Sequence, residues 1–189
     1  ETVGKALLGG PFELVNQDGV PVTDATYRED GKFLLIGFVF SHCPAVCPAE
    51  LVKMSRCVDM IDSKTKDLPV KIQPIAITVD PQRDTVGQLR AFKQDFHPRF
   101  EFLTGTPRQI GRVTKAYRVY FSVPEDAVDE EDFLIDHSSV SYLVAPDGEF
   151  LEFFPSLTEA DEMADRISAK MREKTGIEPV SYTHLTLPT

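Results

Sequence analysis

Cysteine is scarce in this chain, and so are long apolar runs and positive charge. Three cysteines in 189 residues are too few for the disulfide framework of a small secreted domain, and an odd count leaves at least one thiol free or paired elsewhere. The longest apolar run, residues 33–40, is too short to span a bilayer. No secretory signal or transit peptide is visible at Glu1. Twenty Lys and Arg against 30 Asp and Glu give a formal net charge of −10. That balance argues against nucleic acid and anionic membrane surfaces, both of which need a basic face, and suits a basic protein partner or a cation better. There is no internal repeat and no linker, and the length fits one domain with a substantial core.

What is present is an alternation of strand and helix signals. Phe12–Val15 and Val20–Val22 flank Asn16-Gln17-Asp18-Gly19, a hairpin pattern with a strong turn dipeptide. The run from Lys32 to Phe40 reads as a central strand covered on both faces. Pro48 suits the first position of the following helix, on which Leu51, Met54, Val58 and Ile61 form one apolar face. A second strand is expected over Val70–Val79. A helix capped by Asp84 then turns Val86, Leu89, Phe92 and Phe96 inward. Phe100–Leu103 is a short strand, and Thr106-Pro107 opens a helix carrying Ile110, Val113, Ala116 and Tyr117. Residues 121–136 form an acidic loop with seven Asp or Glu and no Lys or Arg. A hairpin over 138–154 turns at Ala145-Pro146-Asp147-Gly148. The closing helix, Thr158–Lys174, has Thr158 and Asp161 in a capping arrangement and Gly176 past its end. This order describes an α/β sandwich of the thioredoxin type, with a mixed central sheet, flanking helices and an N-terminal β-hairpin. Residues 1–10 are a lead-in, 11–176 the domain, and 177–189 a tail, disordered or foreign to it.

The chemistry concentrates at Cys43-Pro44-Ala45-Val46-Cys47-Pro48, where the buried strand gives way to a helix. With Pro48 as first helical residue, Cys47 takes the N-cap, where partial positive charge and unsatisfied N–H groups favour thiolate. Thiolate is the form that binds metal and attacks disulfides, and a pair this close can also close a small disulfide ring. Cys57 lies beside Met54 and Ile61 on the apolar helix face. It is about 15 Å along the helix from Cys47, too far to share a metal with it, and reads as core.

His137 follows the acidic loop and precedes a strand, so it can be brought to a sheet edge near the thiols. Two sulfurs and one imidazole suit a thiophilic ion such as copper, Cu(I) above all; the thiols alone equally suit disulfide exchange. Asp136 is placed to orient the imidazole. His42 ranks lower, because neighbours in an extended segment point to opposite sides. His97 reads as a helix-end residue bonding carbonyls, and His184 lies in the tail. The acidic stretch from Glu125 to Asp132 is a solvated loop or a docking surface for a basic partner.

In these stretches the chain resembles the Sco proteins (synthesis of cytochrome c oxidase). They are Gly4–Phe12, Ser41-His42-Cys43-Pro44-Ala45-Val46-Cys47-Pro48, Asp80-Pro81-Gln82-Arg83-Asp84-Thr85, Ala116–Tyr120, Asp136-His137-Ser138 and Pro146–Phe150, in family order across about residues 4–175. The resemblance implies a copper chaperone rather than a turnover enzyme. Cys43, Cys47 and His137 would hold Cu(I) or Cu(II), and Cys43 and Cys47 could be oxidised to a disulfide. It implies delivery of copper to the binuclear CuA site of cytochrome c oxidase subunit II, or reduction of that site's cysteines as a thiol–disulfide oxidoreductase. It further implies a small intermembrane-space copper donor, and a homodimer is an option. The opening and the acidic loop look mitochondrial: an inner-membrane protein whose domain faces the intermembrane space behind an N-terminal anchor helix, with the bacterial periplasm as alternative. A thiol peroxidase fits less well, since Pro44 stands where that family has threonine. Two departures stand out: Ala45 replaces a usual acidic residue, and Ser138, Ser139 and Ser141 make the strand after His137 unusually polar.

Overall fold

The computed structural model describes residues 8–43, 46–119, 121–122, 136–137 and 139–179, with Val46, Phe121, Ser122, Asp136 and His137 given by their backbone. Parts of the expected lead-in and tail, residues 1–7 and 180–189, lie outside the described residues, as do Pro44, Ala45, Ser138 and the run Glu125–Asp132.

Seven strands form one mixed sheet: β1 (Glu13–Asn16), β2 (Pro21–Thr23), β3 (Phe33–Val39), β4 (Ile72–Thr78), β5 (Glu101–Thr104), β8 (Val140–Val144) and β9 (Phe150–Pro155), in the spatial order β2-β1-β5-β4-β3-β8-β9. β3 pairs parallel with β4 and antiparallel with β8, and β4 pairs parallel with β5. The helices are α1 (Asp24–Arg28), α2 (Val46–Lys64), α3 (Val86–Lys93), α4 (Pro107–Ala116) and α5 (Ala160–Thr175). A two-stranded ribbon, β6 (Phe121–Ser122) with β7 (Asp136–His137), stands apart from the main sheet. The expected thioredoxin-like α/β sandwich, with its mixed sheet and N-terminal hairpin, is the observed architecture.

Local chemistry explains most boundaries. Asn16 closes the β1–β2 hairpin by accepting the N–H groups of Asp18 and Val20 at 3.0 Å each, and Gly19 supplies the positive φ of 77° that the turn needs. α1 was not expected from the sequence. It begins at a reciprocal Thr23–Thr26 capping box, which no apolar period announces. Two helix starts differ from expectation. Thr85, not Asp84, caps α3 by accepting the Gln88 N–H. α5 begins at Ala160, its N-cap Glu159 makes no side-chain capping bond, and Asp161 accepts its neighbour's N–H. Gly176 ends α5 in the left-handed conformation at φ 68°, as expected. The acidic loop likewise holds two short paired strands, residues too few and too polar to show a strand period.

All seven residues of β3 are buried, so both of its faces are covered. The Met54 side chain of α2 reaches down onto this strand at residue 37, which is glycine. A Cβ there would meet the Met54 sulfur at 3.0 Å, and Met54 is fully buried among Leu51, Val58 and Ile61. A Gly37→Ala variant should therefore overpack this contact and lower stability by about 1–3 kcal/mol. Urea denaturation checks this; an unchanged midpoint would show that Met54 moves aside at no cost.

Candidate metal and thiol site

The sheet register carries the reactive segment to one end of the fold. β3 and β4 pair as far as Val39 and Thr78, and the Val79 N–H to Val39 C=O bond (2.9 Å) adds one rung. Both chains then leave the sheet at the same end, β3 towards Cys43 and β4 towards Asp84. β8 is antiparallel to β3, with Ser141 opposite Gly37, so it enters the sheet at that same end. Loops at the carboxyl ends of parallel strands are the usual place for a site in an open α/β sheet.

Cys43 closes a turn, donating its N–H to the Phe40 carbonyl at 3.2 Å. Its sulfur accepts the N–H of Cys47 at 3.3 Å. Cys47 lies in the first turn of α2, which begins at Val46. Pro48 is thus the third helical residue and Cys47 the second, each two positions further in than the sequence suggests. Proline is still tolerated there, because first-turn N–H groups have no intrahelical acceptor. The Cys43 sulfur occupies the place of a capping oxygen, so the two thiols are brought together by the helix start itself.

Both thiols are buried, Cys43 at 9% exposure and Cys47 at 1%. Burial, foremost, pushes the Cys47 thiol well above the ordinary cysteine range. A backbone hydrogen bond from Phe40 opposes this, while the Cys43 sulfur and the Asp84 charge reinforce it. The expectation that the helix terminus would favour thiolate is overturned for Cys47, because desolvation of a fully buried group outweighs a terminal dipole. Cys57 is fully buried in the core, as expected, and burial pushes its thiol up to about 12, with Lys53 pulling weakly the other way. All three cysteines are thiols.

The histidines separate clearly. His42 is exposed beside the buried Cys43, with Nδ1 3.2 Å from Ser41 Oγ and 4.0 Å from Asp84 Oδ1. His97 does not bond helix-end carbonyls: Nε2 lies 3.2 Å from Asp59 Oδ1, and Nδ1 accepts the Arg99 N–H at 3.1 Å. The backbone of His137 pairs with Phe121 in the β6–β7 ribbon; its side chain, that of Asp136, and His184 lie outside the described residues. Among the described residues no group of three His, Cys, Asp or Glu side chains is arranged to hold a metal.

Two polar ties that the sequence does not disclose flank the pair. Glu50, three residues after Cys47, accepts the Ser141 hydroxyl at 3.1 Å and meets Lys53 Nζ at 2.9 Å. The unexpected polarity of β8 at Ser141 thus has a partner on α2. On the other side, the buried Asp84 accepts the Ser41 N–H at 3.1 Å and the Thr78 hydroxyl at 2.6 Å. Because Thr85 takes the cap of α3, Asp84 is available for these two contacts.

A sequence model described as SCO1/SenC matches residues 1–172. The human "Protein SCO1 homolog, mitochondrial" is 45% identical over 170 residues, which cover 90% of this chain and 55% of that protein. The chain spans about half the length of the curated relatives it matches. Among solved structures, Arabidopsis thaliana ScoI with copper bound superposes with a TM-score of 0.79 at 37% identity, covering 88% of this chain and 99% of that one. Yeast Sco1 with copper bound gives 0.78 at 33% identity, covering 93% and 97%.

Two outcomes follow from this geometry. Ser141→Ala leaves the buried Glu50 carboxylate short of a donor and should cost about 1–2 kcal/mol, read as a fall in Tm of about 2–8 °C; an unchanged Tm would show the tie to be neutral. Because a raised thiol pKa moves thiolate formation to higher pH, Cys47 and Cys57 should resist iodoacetamide at pH 8 in the native reduced protein and react once it is unfolded in guanidinium. Mass mapping of the labelled peptides reads this, and native-state labelling of Cys47 at the unfolded rate would contradict the burial argument.

Proposed function

The chain belongs to the SCO1/SenC family, and from that premise we propose that it is a copper metallochaperone whose cargo is held by Cys43, Cys47 and His137. The observation that carries this reading is the pairing of Cys43 and Cys47 across the first turn of α2, sulfur to N–H at 3.3 Å. Two thiols on one turn are a soft donor set, which selects Cu(I) over harder ions. Support for the third ligand comes from topology: His137 lies four residues before Ser141, on the approach to the sheet end where β3 leaves for Cys43. The solved relatives with copper bound, ScoI from Arabidopsis thaliana and Sco1 from yeast, support copper as the metal.

In this reading the acceptor is the CuA site of cytochrome c oxidase subunit II, and a small intermembrane-space protein supplies the copper. The protein transfers metal by ligand exchange, with thiolates of the acceptor displacing Cys43, Cys47 and His137 in turn, and it is not a turnover enzyme. The mitochondrial names of the relatives support an inner-membrane protein facing the intermembrane space. Among the described residues no helix is long and apolar enough to cross a membrane, so an anchor would have to lie elsewhere in the protein.

The closeness of the sulfurs also favours a second use. The pair reduces a disulfide in the acceptor when one thiolate attacks it, releases the first acceptor thiol and forms a mixed disulfide. The second thiolate then closes the Cys43–Cys47 disulfide and releases the second acceptor thiol, two electrons passing to the acceptor. Both uses need thiolates, so copper binding to the buried thiols releases protons.

Anaerobic Cu(I) titration against a competing chelator tests the proposal. Wild type should bind one Cu(I) per chain, with apparent affinity rising with pH as proton release becomes easier, and His137→Ala should bind at least tenfold more weakly. Equal binding by the two proteins would remove His137 from the site and leave thiol–disulfide exchange as the better reading.

A further inference from the structure

We propose that Asp84 is a positioning residue for the thiol pair: it holds the Phe40–Cys43 turn from the end of β4 and thereby sets where the Cys43 sulfur stands relative to Cys47. The inference rests on the reading of Cys43 and Cys47 as the working thiols.

Asp84 is fully buried, yet the groups hydrogen-bonded to its carboxylate are neutral donors. The Ser41 N–H reaches both oxygens, at 3.3 and 3.1 Å, the Ser41 hydroxyl donates to Oδ1, and the Thr78 hydroxyl donates to Oδ2 at 2.6 Å. Thr78 Oγ1 itself accepts the Asp80 N–H at 3.0 Å, which leaves its proton for Asp84. The imidazole of His42 stands further off, 4.0 Å away, and Arg83 pairs with Asp80. A buried carboxylate is costly unless hydrogen-bonded, so the position calls for a specific role.

Three observations place that role at the thiols. Asp84 does not cap α3, since Thr85 does. It is not needed to join β3 to β4, whose ladder runs unbroken from Phe33 to Val39. Its grip falls beyond the ladder, on Ser41, the second residue of the turn closed by the Cys43 N–H on Phe40. Phe40 in turn hydrogen-bonds the Cys47 sulfur through its backbone, and Gln88 of α3 donates to the Ser41 hydroxyl at 3.3 Å. One carboxylate therefore ties the β4–α3 connection to the residues on which both sulfurs lean.

Asp84→Asn tests this, because it keeps the shape but gives up one of the two oxygens that accept from Ser41 and Thr78, presenting an NH₂ to groups that themselves donate. A looser turn lowers the effective concentration of one thiol at the other. The measurement is equilibrium with glutathione, in which the Cys43–Cys47 disulfide and two glutathione thiols exchange two electrons to give the dithiol and glutathione disulfide. It is read by thiol trapping and mass spectrometry at a temperature where melting curves show the proteins folded. The disulfide of Asp84→Asn should be reduced about tenfold more readily, a potential about 30 mV less negative, with Cu(I) affinity falling alongside. Ser41→Ala, which removes one hydroxyl at a half-buried site, should shift both in the same direction by about threefold, and it decides the question alone if Asp84→Asn does not fold. Variants that lose thermal stability but match wild type in potential and copper affinity overturn the inference and make Asp84 a purely structural residue. A wild type that neither closes the disulfide nor binds Cu(I) is a different result, which overturns the reading of the pair and the inference with it.

Discussion

The site depends on the burial of β3 on both faces and on its parallel register with β4. Every residue of β3 is buried, so a slip by one residue would exchange all of its close-packed neighbours at once, and the point where the strand leaves the sheet is set by that packing. Val39 and Thr78 end the ladder together, and the chain beyond each is delivered to the same end of the domain. The thiol turn, the Asp80–Thr85 connection and the entry of β8 meet there as a consequence of register. The Cys47 N–H to Cys43 sulfur bond at 3.3 Å then holds the first turn of α2 against the turn that carries Cys43.

The middle of the domain and its thiol end are held differently. Towards its middle the domain is held by apolar packing, which is non-directional and tolerates small displacements. Around the thiols it is held by directional polar contacts: Asp84 on the Ser41 turn, Glu50 on Ser141, and Cys43 sulfur on the Cys47 N–H. Such contacts fix position more sharply than hydrophobic contact does, and they fail sharply when one partner is removed. The proposed copper transfer would call for that kind of placement, since ligand exchange alters coordination without rebuilding the fold.

Burial of the thiols shapes their chemistry as much as their spacing does. A thiol kept neutral by desolvation is a poor nucleophile and a poor ligand until something replaces the lost solvation. A cation at the pair does so directly, by neutralising the charge that the low-dielectric surroundings penalise. Copper loading and proton release are therefore coupled in the proposed mechanism.

Much of this was legible in the sequence because it is local. A continuous apolar run identified β3, and apolar periodicity α2 and the closing helix; turn residues located both hairpins; and a pair of cysteines at a strand–helix junction pointed to soft-metal or disulfide chemistry. Cys57 was readable as core from its place on the apolar face of α2. What the sequence could not show is contact between distant segments. Asp84 looked like a helix cap because a carboxylate before a helix usually is one, and only the pairing of β3 with β4 reveals that Ser41 stands next to it. The polarity of Ser141 looked anomalous until α2 supplied Glu50. Thiolate at Cys47 followed from the helix terminus and was reversed by burial. The sequence by itself determined most of the elements, though not α1 or the β6–β7 ribbon, and which atoms are available for chemistry, because periodicity and residue type are properties of neighbours along the chain. The tertiary structure alone decided how those atoms are held and charged, because solvation and hydrogen-bond partners depend on what the fold brings from elsewhere.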